Sequence, residues 1–200
     1  MSDAGLYPTA TARTAPERIA YRICETGETV TYGELEARSN QVAHLFRRCG
    51  LAPGDHVVIV MENNREFFEV CFGADRAGLY YTTVSTRLMA HELAYIIGDC
   101  GARLLITSSA FAERASLLAH NTPALEHRYV VGGTLQGYLP LAEALAACPA
   151  NPIDDEVQGL DMLYSSGTTG RPKGVKWPMP GGKPGELTML IDLLRRLYAY

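Results

Sequence analysis

A chain of 200 residues is long enough for one domain, or two small ones, with a real hydrophobic core. Its composition, 47% apolar and 20% charged, is that of an ordinary globular protein. Since 18 Lys and Arg face 22 Asp and Glu, and no basic cluster is present, the composition argues against non-specific nucleic-acid binding.

Helix and strand signals alternate along the chain. Thr31 and Glu34 form a capping box, which predicts that a helix begins there. The segment His56 to Met61 is continuously apolar, as in a strand buried on both faces, and Asn63 or Asn64 can cap the helix that follows. The further predicted elements are strand 79–84, helix 91–100, strand 103–107, a helix capped by Ser108 or Ser109 that runs to about Ala119, strand 128–131 and helix 139–147. This alternation predicts an α/β fold with a largely parallel sheet and flanking helices.

The chain is expected to divide near residue 150. Residues 1–150 form the predicted N-terminal α/β subdomain, and the stretch from Cys148 to Glu156, rich in proline and acid, is the nearest approach to a linker. Residues 151–200 are expected to begin the next subdomain. The last stretch, from Glu186 to Tyr200, reads as an amphipathic helix without a stop signal. We therefore expect the chain to be the front part of a longer protein.

Cysteine usage and the lack of a secretory signal predict a protein of a reducing compartment. The five cysteines are widely spaced and form no CxxC pair, which favours small buried hydrophobes. The first eighteen residues lack the apolar core of a secretory signal, and the longest apolar stretches are too short to cross a bilayer. We expect a cytoplasmic protein without a transmembrane segment, with a peripheral membrane contact left open.

Other motifs are weak. His91 and Glu92 begin like a zinc-protease helix, but Tyr95 stands where the second histidine is needed. The glycines between Gly132 and Gly137 miss the dinucleotide-binding spacing, and the GxSxG elbow of hydrolases is absent.

The segment "YSSGTTGRPKGV", from Tyr164 to Val175, is a stronger functional signal than these motifs. Apolar stretches with strand composition, Leu160 to Tyr164 and Val175 to Trp177, flank it, so a loop held at both ends is predicted. It is not a Walker A loop, because Gly174 follows the lysine.

The composition of this loop suits a polyphosphate. Glycines let backbone amides approach an anion, hydroxyls donate hydrogen bonds and can coordinate Mg²⁺, and a lysine adds a positive charge. A hydroxyl-rich hairpin loop that binds nothing is the alternative. The candidate binding residues are Ser165, Ser166, Gly167, Thr168, Thr169, Gly170 and Lys173.

The loop resembles the signature phosphate loop of the AMP-forming adenylating enzymes, the superfamily of acyl-CoA synthetases, luciferases and peptide-synthetase adenylation domains. "VTYGELEARSNQVAHLF", from Val30 to Phe46, resembles the first core motif of that family. The region from Pro53 to Thr107, with its arginine-alanine-glycine step, resembles the second region. The likeness covers nearly the whole chain, and it implies the N-terminal part of the large adenylating-enzyme domain.

The resemblance implies a two-step reaction. A carboxylate attacks the α-phosphorus of ATP to give acyl-AMP and pyrophosphate, and a CoA thiol then displaces AMP. The implied cofactors are ATP, Mg²⁺ and CoA, and the implied partner is an apolar monocarboxylic acid, as in fatty-acyl or related CoA ligases. Lys173 is the candidate catalytic residue, Thr168 and Thr169 are expected to contact phosphates, and Ser166 is the candidate metal ligand.

This sequence departs from the family after the loop. Many members carry a Ser/Thr-His pair there, whereas this chain has Lys176 and Trp177, which resembles a subgroup acting on bulky apolar acids. The family's adenine-binding, ribose-binding and acidic metal-binding motifs and its C-terminal lysine lie beyond residue 200. The 200-residue portion alone is therefore expected to be inactive, and a truncated non-catalytic nucleotide-binding or interaction module is the alternative.

Overall fold

The computed structural model describes residues 7–165 and 172–186. Helices and strands alternate through most of this part of the chain. The helices are α1 (Pro8–Thr14), α2 (Tyr32–Arg48), α3 (Arg65–Arg76), α4 (Ala90–Asp99), α5 (Ala112–Asn121) and α6 (Leu141–Ala146). The strands are β1 (Ile19–Arg22), β2 (Thr29–Thr31), β3 (His56–Val60), β4 (Tyr80–Thr83), β5 (Leu104–Ser108), β6 (His127–Val131), β7 (Leu139–Pro140), β8 (Leu160–Asp161), β9 (Leu163–Ser165) and β10 (Lys173–Val175).

A parallel sheet organises the described residues. Its strand order is β7-β6-β5-β3-β4-β8, and each neighbouring pair is parallel. The central strand β3 is buried at every position, and its alternate side chains enter two different cores. Val57 and Ile59 pack with α2, α3 and α6, whereas Val58 and Val60 pack with α4 and α5. The predicted α/β fold with a largely parallel sheet and flanking helices is thereby confirmed.

Local capping signals were predictive at two helices. Thr31 accepts a hydrogen bond from the Glu34 amide, and the Glu34 carboxylate accepts one from the Thr31 amide at 2.8 Å, so the capping box is confirmed. The Asn64 side chain accepts a hydrogen bond from the Phe67 amide at 3.0 Å and caps α3. Both signals act within four residues, which is why the sequence alone reveals them.

The predicted serine cap of the fifth helix is wrong. Ser108 donates its hydroxyl to the Glu62 carboxylate, and Ser109 donates to the carbonyl of Gly132 at 2.9 Å. With both hydroxyls engaged outside the helix, a short 3₁₀ turn intervenes and α5 begins only at Ala112.

The cysteine prediction holds in part. Cys49, Cys71 and Cys148 are buried free thiols, and Cys100 is partly buried. Cys24 contradicts the expectation, because it lies exposed in the turn between β1 and β2. Among the described residues, no helix is long and apolar enough to cross a membrane.

Arg76, the last residue of α3, is almost fully buried at 1% exposure. Its five N–H donors, the full complement of a guanidinium, all have acceptors. Those acceptors come from α1, from α2 and from the segment after α6: Thr9, Glu36, Ser39, Asn40 and Glu156. The Tyr7 ring adds a cation–π contact, with the guanidinium carbon 5.2 Å from its centroid. One side chain therefore ties three separate parts of the chain together.

The segment predicted as a linker lies against α2. Asn40 donates to the carbonyl of Ala150 at 3.0 Å, and Gln41 donates to that of Cys148 at 3.1 Å. Arg47 pairs with Asp155 at 2.9 Å. The chain then continues into β8, which joins the same parallel sheet beside β4. The division near residue 150 stays a prediction.

The first test concerns the Arg76 cluster. Arg76→Ala should lower the free energy of unfolding by about 3–5 kcal/mol, because it leaves Glu36 and Glu156 partly buried without their cation. Urea unfolding followed by circular dichroism measures the loss. Arg87→Ala removes an exposed arginine and should change stability by less than about 0.5 kcal/mol. A loss below about 1 kcal/mol in Arg76→Ala would contradict the role of this cluster.

Asp75, next to Arg76, is a buried acid. Burial raises the pKa of Asp75 to about 7, against the lowering effect of the hydrogen bond that Gln158 donates to it. The Gln158 amide nitrogen lies 2.7 Å from the carboxylate, and the Gln158 amide oxygen accepts from the Gly185 amide at 3.2 Å. Asp75 thereby orients Gln158, the residue that binds the backbone at Gly185.

The raised pKa of Asp75 gives stability a defined pH dependence. An unfolded aspartate titrates near pH 4, so between about pH 4 and 7 the folded chain holds this proton more tightly than the unfolded chain. The stabilisation is therefore fully present below about pH 4 and is lost as the pH rises through about 7. The slope is at most about 1.4 kcal/mol per pH unit. Asp75→Asn should remove this slope from urea unfolding measured between pH 5 and 8, whereas Asp154→Asn, at an exposed site, should keep it. An unchanged slope in Asp75→Asn would refute the assignment.

Candidate functional site

The candidate phosphate loop lies between two paired strands. β9 and β10 form an antiparallel pair in which Ser165 stands opposite Lys173, Tyr164 opposite Gly174 and Leu163 opposite Val175. The expectation that the loop joins two strands is confirmed, although the second strand begins at Lys173 rather than at Val175. Of the predicted site residues, Ser165 and Lys173 are thus brought together at the base of the loop. Ser166, Gly167, Thr168, Thr169 and Gly170 lie outside the described residues.

The hairpin continues from the carboxyl end of β8. The chain leaves the parallel sheet at Met162, directly after Asp161, and enters β9 one residue later. Ligands of open parallel sheets bind outside the carboxyl ends of the strands. The paired strands β9 and β10 therefore stand at the edge of the sheet where a ligand is expected.

Two side chains inside the sheet hold the entrance of the hairpin. The Thr82 hydroxyl donates to the carbonyl of Met162 at 2.8 Å, and the His56 ring nitrogen Nε2 lies 2.8 Å from the same hydroxyl. Since the single hydroxyl proton of Thr82 goes to Met162, Nε2 of His56 must carry a proton and donate it. The other ring nitrogen, Nδ1, is buried without a partner. Burial, together with the nearby charge of Lys176, lowers the pKa of His56 to about 4, so its ring is neutral near pH 7. His56 therefore supports the backbone and is unsuited to proton transfer.

Tyr80 holds the exit of the hairpin. Its hydroxyl donates to the carbonyl of Trp177 at 2.7 Å, and the ammonium of Lys176 lies 4.1 Å from the centroid of its ring. The Lys-Trp pair, which departs from the family pattern, is thus fixed by one aromatic side chain. Sequence reasoning missed this arrangement, because Tyr80 lies far from the loop in the sequence and its only signal was strand composition.

A third contact reaches the first strand of the hairpin. The Tyr164 hydroxyl donates to the Asp99 carboxylate at 2.5 Å. Burial and this hydrogen bond both raise the pKa of Tyr164. Gly174 leaves room for the tyrosine ring, because a Cβ there would lie 3.0 Å from its Cζ atom and 2.2 Å from Cε of Met162.

The rest of the hairpin surface is open. Lys173 is exposed, as are the apolar side chains of Leu163, Val175 and Trp177. An exposed lysine next to a glycine-rich loop can place its charge against a phosphate oxygen without first losing a protein partner. Within residues 7–165 and 172–186 no group of three or more His, Cys, Asp or Glu side chains could hold a metal ion. The candidate metal ligand, Ser166, lies outside these ranges, so its role stays a prediction.

Comparison with known proteins identifies relatives along most of the chain. Residues 9–179 match the family model described as AMP-binding enzyme. A fatty acid--[acyl-carrier-protein] ligase, ScoC, from Streptomyces coeruleorubidus is 34% identical over 161 residues, which cover 76% of this chain and 28% of the relative. A 3-oxocholest-4-en-26-oate--CoA ligase from Rhodococcus rhodochrous is 32% identical over 170 residues, or 81% of this chain and 30% of the relative.

Solved structures agree with the fold. The anthranilate CoA ligase AuaEII, crystallised with anthranoyl-AMP, superimposes with a TM-score of 0.73 at 25% identity. The match covers 88% of this chain and 35% of that enzyme. The chain thus spans about a third or less of the length of these relatives.

Proposed function

Since the chain belongs to the family of AMP-binding enzymes, we propose that it is part of an ATP-dependent, AMP-forming acyl-CoA synthetase. Its acid substrate is a fatty acid or a related apolar monocarboxylic acid. The reaction proceeds through acyl-AMP with release of pyrophosphate, in the cytoplasm. ATP, CoA and the acid are its substrates.

The observation that carries this proposal is the hairpin β9–β10. It brings Ser165 and Lys173 opposite each other at the two ends of a loop whose composition suits a polyphosphate. It stands at the carboxyl end of a parallel sheet, and three side chains outside it, Thr82, Tyr80 and Asp99, hold its entrance, its exit and its first strand. A phosphate-binding loop needs such fixed ends, because donors that must reorganise on binding stabilise an anion less.

In the proposed reaction these residues act by charge and orientation rather than by forming covalent bonds. Lys173 holds the β- and γ-phosphates by charge, while the loop amides and hydroxyls orient them so that pyrophosphate leaves in line with the incoming carboxylate. The CoA thiol then attacks the acyl carbonyl carbon of acyl-AMP, which forms the thioester and releases AMP. Mg²⁺, which accompanies ATP, would shield the charge of the phosphates. Ser166 is the residue of this chain that we propose as its ligand.

The printed names of the relatives guide the substrate class. The three relatives described above are named for a fatty acid, a steroid-type acid and anthranilate, all of which present an apolar or aromatic body beside the carboxylate. The name of the first relative gives an acyl carrier protein as the acceptor, so whether CoA or a carrier protein supplies the acceptor thiol must be tested separately.

Activity against a panel of acids tests the proposed function. With ATP and Mg²⁺, the full-length protein should show acid-dependent ATP–pyrophosphate exchange with medium- or long-chain fatty acids or steroid-type acids, and little with amino acids. CoA and an acyl carrier protein are then compared as acceptors by AMP release. Preference for an amino acid would reverse the substrate class.

The 200-residue chain, assayed in the same way, separates the two candidate functions. We expect no steady AMP release from it, because it spans only about a third or less of the length of its relatives. If the full-length protein binds ATP but exchanges no pyrophosphate with any acid, the second candidate, a non-catalytic nucleotide-binding module, is the better description.

Lys173→Ala provides the residue-level test. In the full-length protein it should lower kcat/KM for pyrophosphate exchange by a factor that corresponds to about 1.5–3 kcal/mol, the usual value of a hydrogen bond to a charged group. Because the side chain is exposed, the thermal unfolding temperature should stay the same. Lys183→Ala, at another exposed lysine beyond the hairpin, is the matched control and should retain full exchange. Full exchange in Lys173→Ala would remove Lys173 from the site.

A further inference from the structure

Asp99 occupies an electrostatically unfavourable position. It is the last residue of α4, and the final turn of this helix contains no basic side chain. The carbonyl end of a helix carries partial negative charge, which repels a carboxylate. Local helix chemistry therefore does not account for this residue.

A contact with a distant segment does account for it. The Tyr164 hydroxyl donates to Oδ2 of Asp99 at 2.5 Å, a distance typical of a hydrogen bond from a hydroxyl to an ionised carboxylate. Oδ1 of the same carboxylate lies 3.5 Å from the Tyr95 hydroxyl, one helical turn earlier. The carboxylate thus faces β9 with one oxygen and its own helix with the other.

The opposite strand is shaped for this contact. Gly174 is the cross-strand partner of Tyr164, and the tyrosine ring passes so close to it that a Cβ would lie 3.0 Å from Cζ and 3.1 Å from the hydroxyl oxygen. A side chain at position 174 would clash with Cε of Met162, at 2.2 Å, and would also crowd the tyrosine ring. Two residues of the hairpin and one of α4 form a single arrangement.

The other anchors act outside the paired strands. Thr82 binds the carbonyl of Met162, before β9 begins, and Tyr80 binds the carbonyl of Trp177, after β10 ends. Within the described part of the chain, the Tyr164–Asp99 hydrogen bond is the side-chain hydrogen bond that reaches the paired strands from another element. The Tyr164 ring also packs against the core that contains α4 residues, and the hydrogen bond sets the position of its hydroxyl end at Asp99.

We propose that Asp99 is a positioning residue, which fixes hairpin β9–β10 on α4 through Tyr164 and so sets the places of Ser165 and Lys173. Its consequence for nucleotide binding rests on the proposed function. The hydrogen bond itself does not, and the two can be tested separately.

Amide hydrogen exchange on the 200-residue chain tests the positioning. Asp99→Ala and Tyr164→Phe should each speed exchange in the β9 and β10 peptides by roughly five- to tenfold, with no change in β3 and β5. The double variant should match the single variants, because both remove the same bond. Asp99→Asn keeps an acceptor oxygen and should lie closer to the parent chain. Asp154→Ala, which removes an exposed aspartate elsewhere, is the matched control.

Two exchange results would overturn the proposal. One is unchanged exchange in the hairpin of both single variants. The other is equal acceleration in the hairpin and in β3 and β5, since that pattern indicates general destabilisation.

Affinity for MgATP in the full-length protein tests the consequence. The dissociation constant should rise about fivefold in Asp99→Ala and Tyr164→Phe and stay near that of the parent in Asp99→Asn. An unchanged dissociation constant in variants whose hairpin exchanges faster would show that Asp99 does not position the binding residues. If the parent protein binds no ATP, the proposed function fails, and the exchange result still decides the role of Asp99.

Discussion

The buried guanidinium of Arg76 is the interaction on which the position of the candidate site depends. A buried cation is costly unless every N–H has an acceptor, and here all five do. Because the acceptors come from α1, from α2 and from Glu156, the bond geometry fixes where the chain runs after α6. That course ends in β8, and the hairpin follows from it. A residue at the end of a helix thereby helps to determine where, at the edge of the sheet, hairpin β9–β10 stands.

Close contacts between backbone atoms at Gly159 also fix the position of the stretch before β8. A Cβ on Gly159 would lie 2.6 Å from the carbonyl of Leu79 and 2.8 Å from that of Ala74, so no other residue fits there without a shift. The amide of Gly159 donates to the carbonyl of Asp75 at 2.6 Å. The same short stretch that follows Glu156 is thus held by a charge cluster on one side and by direct backbone contact on the other. Rigid ends of this kind allow a glycine-rich loop to present its donors in one arrangement.

Features that depend on neighbouring residues could be predicted from the sequence, whereas contacts between distant residues could not. The capping box at Thr31, the cap at Asn64 and the continuous apolar strand β3 depend on neighbours a few residues away, and all three were predicted correctly. Strands β1, β2 and β7 have too few residues for a periodicity, so they were missed, and residues 139 and 140 were assigned to the helix that begins at Leu141. Helix α1 was missed because its sequence, PTATART, has no apolar periodicity. The Tyr164–Asp99 contact joins residues 65 apart, and the sequence shows only that each is polar. The motif itself predicted the loop, but the side chains that hold it come from elements whose pairing no local pattern reveals.

The two lysines at the second strand of the hairpin differ in role for a physical reason. Lys176 lies over the ring of Tyr80, and its charge helps to keep His56 neutral inside the sheet. Because Nε2 of His56 already carries a proton, a further proton would have to bind at Nδ1, which is buried without a partner, and would place a buried cation near this lysine. Lys173 is exposed, like Lys176, but it stands at the base of the loop, opposite Ser165. The charge of Lys176 therefore lies against the ring of Tyr80, whereas the charge of Lys173 is available for an anion.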